Sequence, residues 1–393
     1  MDNQDDMPSR PPFWNDPDKR ALIFQVIVLA AVFAFFAYIF SNTLHNLEKR
    51  GISTGFDFLN NEAGFGILMS LIPYDETYTF GRTFLVGLLN TILVSFLGII
   101  LATIIGFVIG IARLSNNWLV AKIASVYIET FRNIPLLLQI LFWYFAMLPL
   151  LPHPRQSVNL GDAFFLNSRG FYMPAPVFES AFLWVLAAII IAITAVVILV
   201  RWAHKRQEQT GQQFHTFWMS LAILVALPLI AYVATGMPLS WTLPELKGFN
   251  FSGGMTIIPE LAALLLALSI YTAAFIAEIV RSGIQAVSHG QTEAAYALGL
   301  RPGKTLQLVI IPQAMRVIIP QLTSQYLNLT KNSSLAAAVG YPDLVAVFAG
   351  TTLNQTGQAV EIIFMTMMVY LTISLLISLF MNWYNKKMAL VER

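Results

Sequence analysis

The sequence predicts an all-α membrane protein that crosses the bilayer about eight times. Three observations carry that reading. Of 393 residues, 57% are hydrophobic and only 11% are charged. The mean hydropathy is +0.67, more apolar surface than a soluble core can hide. The apolar residues also recur in stretches near the roughly 20 residues that a bilayer span needs.

The first stretch, residues 21–40, is too long for a signal-peptide core and lacks a small-x-small cleavage site after it, so it reads as an uncleaved helix. The second, about 83–112, carries Gly106 and Gly110 at the small-xxx-small spacing that lets helices approach closely. The third covers about 123–150 and contains Pro135. The remaining spans are 181–200, 217–236, 258–279, 306–328 and 360–383. Lysine and arginine in the connections set the orientation. With the N-terminus inside, fourteen fall in cytoplasmic segments and seven outside, which predicts both termini in the cytoplasm.

Composition also excludes functions. The absence of cysteine removes disulfides, iron–sulfur clusters and thiol nucleophiles. The five histidines are scattered without metal-ligand spacing, so no metal and no other cofactor is expected. A formal charge of +2 without a long basic run gives no footprint for nucleic acid. "GISTG" around Ser53 matches a hydrolase elbow in letters only, because no strand precedes it.

"EAAYALGLRPGKT", residues 293–305, ends as a phosphate-binding loop does. Yet Gly299 and Gly303 are one residue too close, and Pro302 lacks the amide a phosphate cradle uses. The stretch reads instead as a helical hairpin. A helix over 292–298 stops at Gly299, which takes the left-handed cap, and Pro302 starts the next helix. Ala294, Ala295 and Ala297 leave room for another protein's backbone, and Leu298 or Leu300 offers an apolar knob. An ordinary loop between helices is the plainer alternative.

Glu293-Ala294-Ala295, three residues, Gly299, nine residues, Val309, one residue and Ile311-Pro312 resemble the EAA motif of bacterial ABC importer permeases. Val309 and Ile311 stand where isoleucine and leucine are commoner. Residues 127–145, 271–295 and 310–335 look like the polar amino-acid branch of that family. The extra first span, the inserted fourth and fifth spans and "GFDFLNNEAGFGI" (55–67) resemble its general L-amino-acid, or Aap/Bzt, type. The resemblance implies a five-helix type I core made of the second, third, sixth, seventh and eighth spans. It divides the chain into a tail, first helix and outer segment (1–82), the first part of the core (83–151), an outer loop with an inserted helix pair (152–257), and the second part of the core (258–393). It implies that Glu293, Ala294, Ala295, Leu298, Gly299 and Leu300 couple the chain to an ABC ATPase dimer. It also implies a second related permease, a periplasmic amino-acid-binding protein, and a subunit that is itself no enzyme.

The seventh span is unusually polar. Setting Gln321 at zero, Gln325, Asn328 and Asn332 fall at roughly 40°, −20° and 20°, one narrow stripe. Amides facing lipid lack partners, so the stripe suits a substrate path; hydrogen bonding between packed helices is the alternative. Related permeases often have aspartate where Asn332 stands. Two Glu-x-x-Arg pairs, Glu129/Arg132 and Glu278/Arg281, sit at the inner edges of the third and sixth spans. They pair locally or cross-pair as a gate. The leading function is therefore an ATP-driven L-amino-acid import permease. The alternative is an ion-gradient-driven secondary transporter, which would use neither the hairpin nor an ATPase.

Overall fold

The computed structural model describes residues 16–49, 51 and 54–388; Ser53 lies outside them. The helices in chain order are α1 (Pro17–Lys49), α2 (Phe80–Arg113), α3 (Trp118–Asn133), α4 (Leu136–Leu141), α5 (Phe182–Thr210), α6 (Thr216–Ala234), α7 (Pro259–Gln285), α8 (His289–Ala297), α9 (Pro302–Thr305), α10 (Ile311–Asn332), α11 (Leu353–Thr356) and α12 (Ala359–Met388). Among the described residues, seven helical runs are long and apolar enough to cross a bilayer. A bent pair, α3 with the helical run from α4 to Leu150, makes an eighth if counted as one span.

The third span, expected over 123–150, is broken at Pro135. The chain turns by 105° at the break. Pro135 cannot donate a helix hydrogen bond and forces Ile134 into extended backbone (φ −96°, ψ 127°). The buried Gln139 then mends the break. Its Nε2 donates to the carbonyls of Phe131 (3.1 Å) and Ile134 (2.9 Å). Without such donors those carbonyls would be costly in an apolar surround. Asn117 caps the start of α3, its Oδ1 accepting from the amides of Leu119 and Val120.

The chain forms two compact units. One comprises residues 1–92 and 342–377. Its core gathers Phe58, Ala63, Phe80, Leu344, Phe348 and Ile362, so the outer segment around 55–67 folds onto its own helices. Gly55 N donates to Glu361 Oε1 at 2.7 Å, and Asn90 Nδ2 donates to Met69 O and Pro342 O.

The other unit comprises residues 93–341 and 378–393. Here α7 is the most buried span, and α2 and α10 grip it through small residues. A Cβ added at Gly106 would sit 2.6 Å from Ile276 Cβ, and one at Gly110 would sit 2.7 Å from Ala277 O. A Cβ added at Gly283 of α7 would likewise sit 2.3 Å from Ile318 Cγ1 of α10. The expected close helix approach through Gly106 and Gly110 is thus made onto α7.

The segments on either side of the α5–α6 pair, expected as loop, hold short strands. They are β1 (Val158–Leu160), β2 (Phe164–Asn167), β3 (Gly170–Met173), β4 (Ala175–Phe178), β5 (Leu239–Thr242), β6 (Glu245–Lys247), β7 (Asn250–Ser252) and β8 (Met255–Ile257). Antiparallel pairing of β4 with β5 and of β3 with β8 ties the two ends of the inserted segment together.

Candidate functional site: a helical hairpin and a polar cavity

The hairpin forms as its residues dictate. α8 starts three residues earlier than expected, at His289, and ends at a left-handed Gly299 with φ +76°. Gly299 N donates to Tyr296 O (2.9 Å) and Leu300 N to Ala295 O (3.1 Å), which satisfies the carbonyls at the helix end. Pro302 opens α9. Within the motif, Ala295 is buried at 3% exposure and anchors the hairpin, whereas Ala294 and Ala297 are open. Leu298 is 82% exposed and is the knob; Leu300 is half-buried. Glu293 is exposed and pairs with His289 Nδ1 at 3.1 Å. Exposed Tyr296, which sequence reasoning did not single out, stands two residues before Leu298. Gln313 Nε2 donates to Gln291 Oε1 at 3.2 Å, fastening α8 to α10. No phosphate cradle exists here: a helix, not a strand, leads into the stretch, and the Thr305 side chain is buried.

A cavity of about 350 Å³ lies among α3, α7 and α10. It is lined by Arg132, Phe275, Glu278, Ile279, Ser282, Gln321, Ser324 and Gln325. Two of the four amides expected to mark a path therefore meet two of the four residues expected to form a gate. Asn328 and Asn332 do not line this cavity. Asn328 is exposed and Asn332 half-buried farther along α10. Tyr326 faces elsewhere, its hydroxyl 2.9 Å from Thr103 Oγ1 of α2.

The charges are arranged locally rather than crosswise. Glu278 receives Arg281 Nε at 3.0 Å and Nη2 at 2.5 Å. Arg113 of α2, not anticipated from sequence, adds a contact at 3.7 Å on the same carboxylate. Glu129 accepts from Ser125 Oγ at 3.0 Å. Neither cross-pair, Glu129 with Arg281 or Glu278 with Arg132, forms among the described residues. The i,i+3 spacing on one helix brings Glu278 and Arg281 together without help from a neighbour. Arg132 instead lies over the Phe275 ring, 5.2 Å from its centroid. The cavity thus presents a carboxylate, a guanidinium stacked on an aromatic ring, and amides that both donate and accept.

With this geometry in view, the relatives are informative. Residues 201–390 match the family model described as the binding-protein-dependent transport system inner membrane component. YhdX of Escherichia coli (strain K12), named as an amino-acid ABC transporter permease protein, is 57% identical over 96% of this chain and 96% of its own. The chain belongs to the amino-acid ABC transporter permeases. AapQ of Rhizobium johnstonii, a general L-amino acid transport system permease protein, is 54% identical over 96% of this permease and 94% of its own length. BztB of Rhodobacter capsulatus, named for transport of glutamate, glutamine, aspartate and asparagine, is 46% identical, with 95% of both chains covered. The matched lengths take in the segments around α5 and α6 as well as the rest of the permease.

Proposed function

We propose that this permease passes L-amino acids inward across the bacterial inner membrane, driven by ATP hydrolysis on separate ABC subunits. It takes them from a soluble receptor on the outer side. Both termini lie in the cytoplasm, as does the α8–α9 hairpin, whose exposed Leu298 and Tyr296 seat on the ATPase dimer. The chain itself performs no chemistry.

The observation that carries the transport reading is the mixed polarity of the cavity. A free amino acid brings a carboxylate and an ammonium group, and each must exchange water for protein partners on crossing. Arg132 supplies a cation for the carboxylate, and Gln321 and Gln325 supply side-chain carbonyl oxygens for the ammonium group while staying indifferent to side-chain charge. This fits a broad L-amino-acid range, in keeping with the names of AapQ and BztB. The four stripe amides make no side-chain hydrogen bond among the described residues, although α10 belongs to a membrane-spanning run. Polar groups so placed need water or a protein partner rather than lipid. We therefore assign that face of α10 to a path shared with a second, related permease.

The test is uptake of labelled glutamate, leucine and arginine by the assembled transporter carrying Gln321→Leu or Gln325→Leu. The expected outcome is reduced uptake of all three with assembly and ATPase activity retained. Unchanged uptake from both variants would remove the cavity from the path.

A further inference from the structure

We infer that the groove between α2 and α10 is a binding site for an anionic phospholipid of the leaflet on the hairpin side, with one acyl chain seated in it. The groove measures about 570 Å³. Its floor is Val280 and Ile284 of α7, its walls include Ile111 on one side and Met315 and Ile318 on the other, and its end carries Ser115 and Asn116. It exists because Gly106 and Gly110 press α2 onto α7 while Gly283 presses α7 onto α10. Two helices held so tightly to a third leave a trough above it.

The lining decides the occupant. Water gains nothing in so apolar a space, and a void would forfeit the dispersion contacts of every wall. The bilayer supplies acyl chains at this depth. The polar end supplies the second half of the argument. Arg113 directly follows Ala112 of the wall and shares the Glu278 carboxylate with Arg281, so two cations meet one anion. The positive charge left over lies at the end of α2, three residues before Asn116 of the groove's end, whose side chain is exposed and without a hydrogen bond among the described residues. A phosphate-bearing headgroup complements that pair, as basic clefts at the ends of spans do. Trp118 is 75% exposed, two residues beyond Asn116, where an aromatic ring suits the membrane interface. The inference stands apart from the transport path and does not depend on it.

The test uses the assembled transporter in nanodiscs containing phosphatidylglycerol with a photoreactive acyl chain. Labelled segments are identified by proteolysis and mass spectrometry. Labelling should concentrate on residues 107–116 and 306–318, several-fold above the lipid-facing helix α6. Ala112→Phe or Met315→Trp, each filling the trough, should lower it several-fold. Arg113→Gln should lower labelling by phosphatidylglycerol more than by phosphatidylcholine. Uniform labelling of all lipid-facing helices, insensitive to either filling variant, would mean ordinary boundary lipid and would overturn the inference. So would absence of label from the groove together with cross-linking of Ile111→Cys to the second permease, because a protein helix would then be the occupant. If neither filling variant assembles, competition on the wild type decides. Unlabelled phosphatidylglycerol must displace the probe better than unlabelled phosphatidylcholine, and equal displacement contradicts the site.

Discussion

Gly299 separates conformation from contact. Its φ of +76° is one that side chains resist, yet a Cβ placed there meets nothing within 4 Å. A defect on substitution must therefore come from backbone strain rather than a clash. Asparagine tolerates the left-handed region and valine does not. Gly299→Asn should keep transport close to the wild type. Gly299→Val should insert and assemble but lose substrate-stimulated ATP hydrolysis, measured on the reconstituted complex. Equal activity of the two would exclude the left-handed stop as the reason for the glycine. Asn332 gives a second test at this scale. Asn332→Asp should shift competitive uptake toward arginine and lysine over glutamate, because a carboxylate on the stripe attracts cationic side chains and repels acidic ones. Gly299 and Pro302 were legible because a left-handed helix stop and a proline helix start are local features of the chain. His289, Tyr296 and Arg113 were not. His289 and Tyr296 matter through the exposure of one turn, and Arg113 through an ion pair made by another helix. The stripe also outran the cavity. Eleven residues of helix extend roughly 16 Å, so one end lines the hollow beside Glu278 and the other does not.

At the scale of elements, the α3–α4 break shows how a proline and a glutamine act together. Pro135 was visible in the sequence, but a proline alone does not distinguish a gentle kink from a turn of 105°. The distinguishing signal was Gln139, placed to catch two freed carbonyls. Gln139→Leu should leave both partly buried carbonyls without this donor, at a cost of at most about 1–3 kcal/mol for such a group. Thermal unfolding of the purified transporter should show a lowered midpoint, with Gln139→Glu intermediate or worse. The outer strands escaped notice because each spans three or four residues, too short for an alternating pattern to register. Asp343 is also an element-scale feature. It is fully buried, and its Oδ1 accepts from Ala346 N at 2.8 Å at the head of the helical run 345–352. Burial pushes its carboxyl up to about 7, against the smaller opposing pull of its hydrogen bonds from backbone amides and the Tyr370 hydroxyl. A carboxyl raised by folding favours the folded state below its ordinary range, and that contribution is lost as pH rises through about 7. Thermal stability should therefore fall as pH rises from about 4 to about 7 and level off above that, and Asp343→Asn should flatten the dependence.

At the scale of the molecule, the positive-inside count together with the number of spans predicts both termini inside. The sequence is free of cysteine, so single cysteines report position without background. Asn354→Cys should react with a membrane-impermeant thiol reagent in intact spheroplasts, and Gln209→Cys should be spared until the membrane is opened. Most of the helical architecture was readable because a bilayer demands long apolar helices. What composition could not supply was the source of energy, since an amide-lined span serves a pump and an ion-coupled carrier alike. The hairpin carries that distinction, for only an ATP-driven importer gives Leu298 something to dock against.

The most direct measurement is amino-acid uptake into proteoliposomes holding this permease with its partner permease, its ATPase subunits and its soluble receptor. Uptake of labelled glutamate or leucine should require ATP at the ATPase side and the receptor at the opposite side. Imposed sodium or proton gradients without ATP should give none. Replacing exposed Leu298 by Asp should abolish ATP-driven uptake while the permease remains in the membrane. Uptake driven by an ion gradient alone, undiminished by Leu298→Asp, would contradict the account.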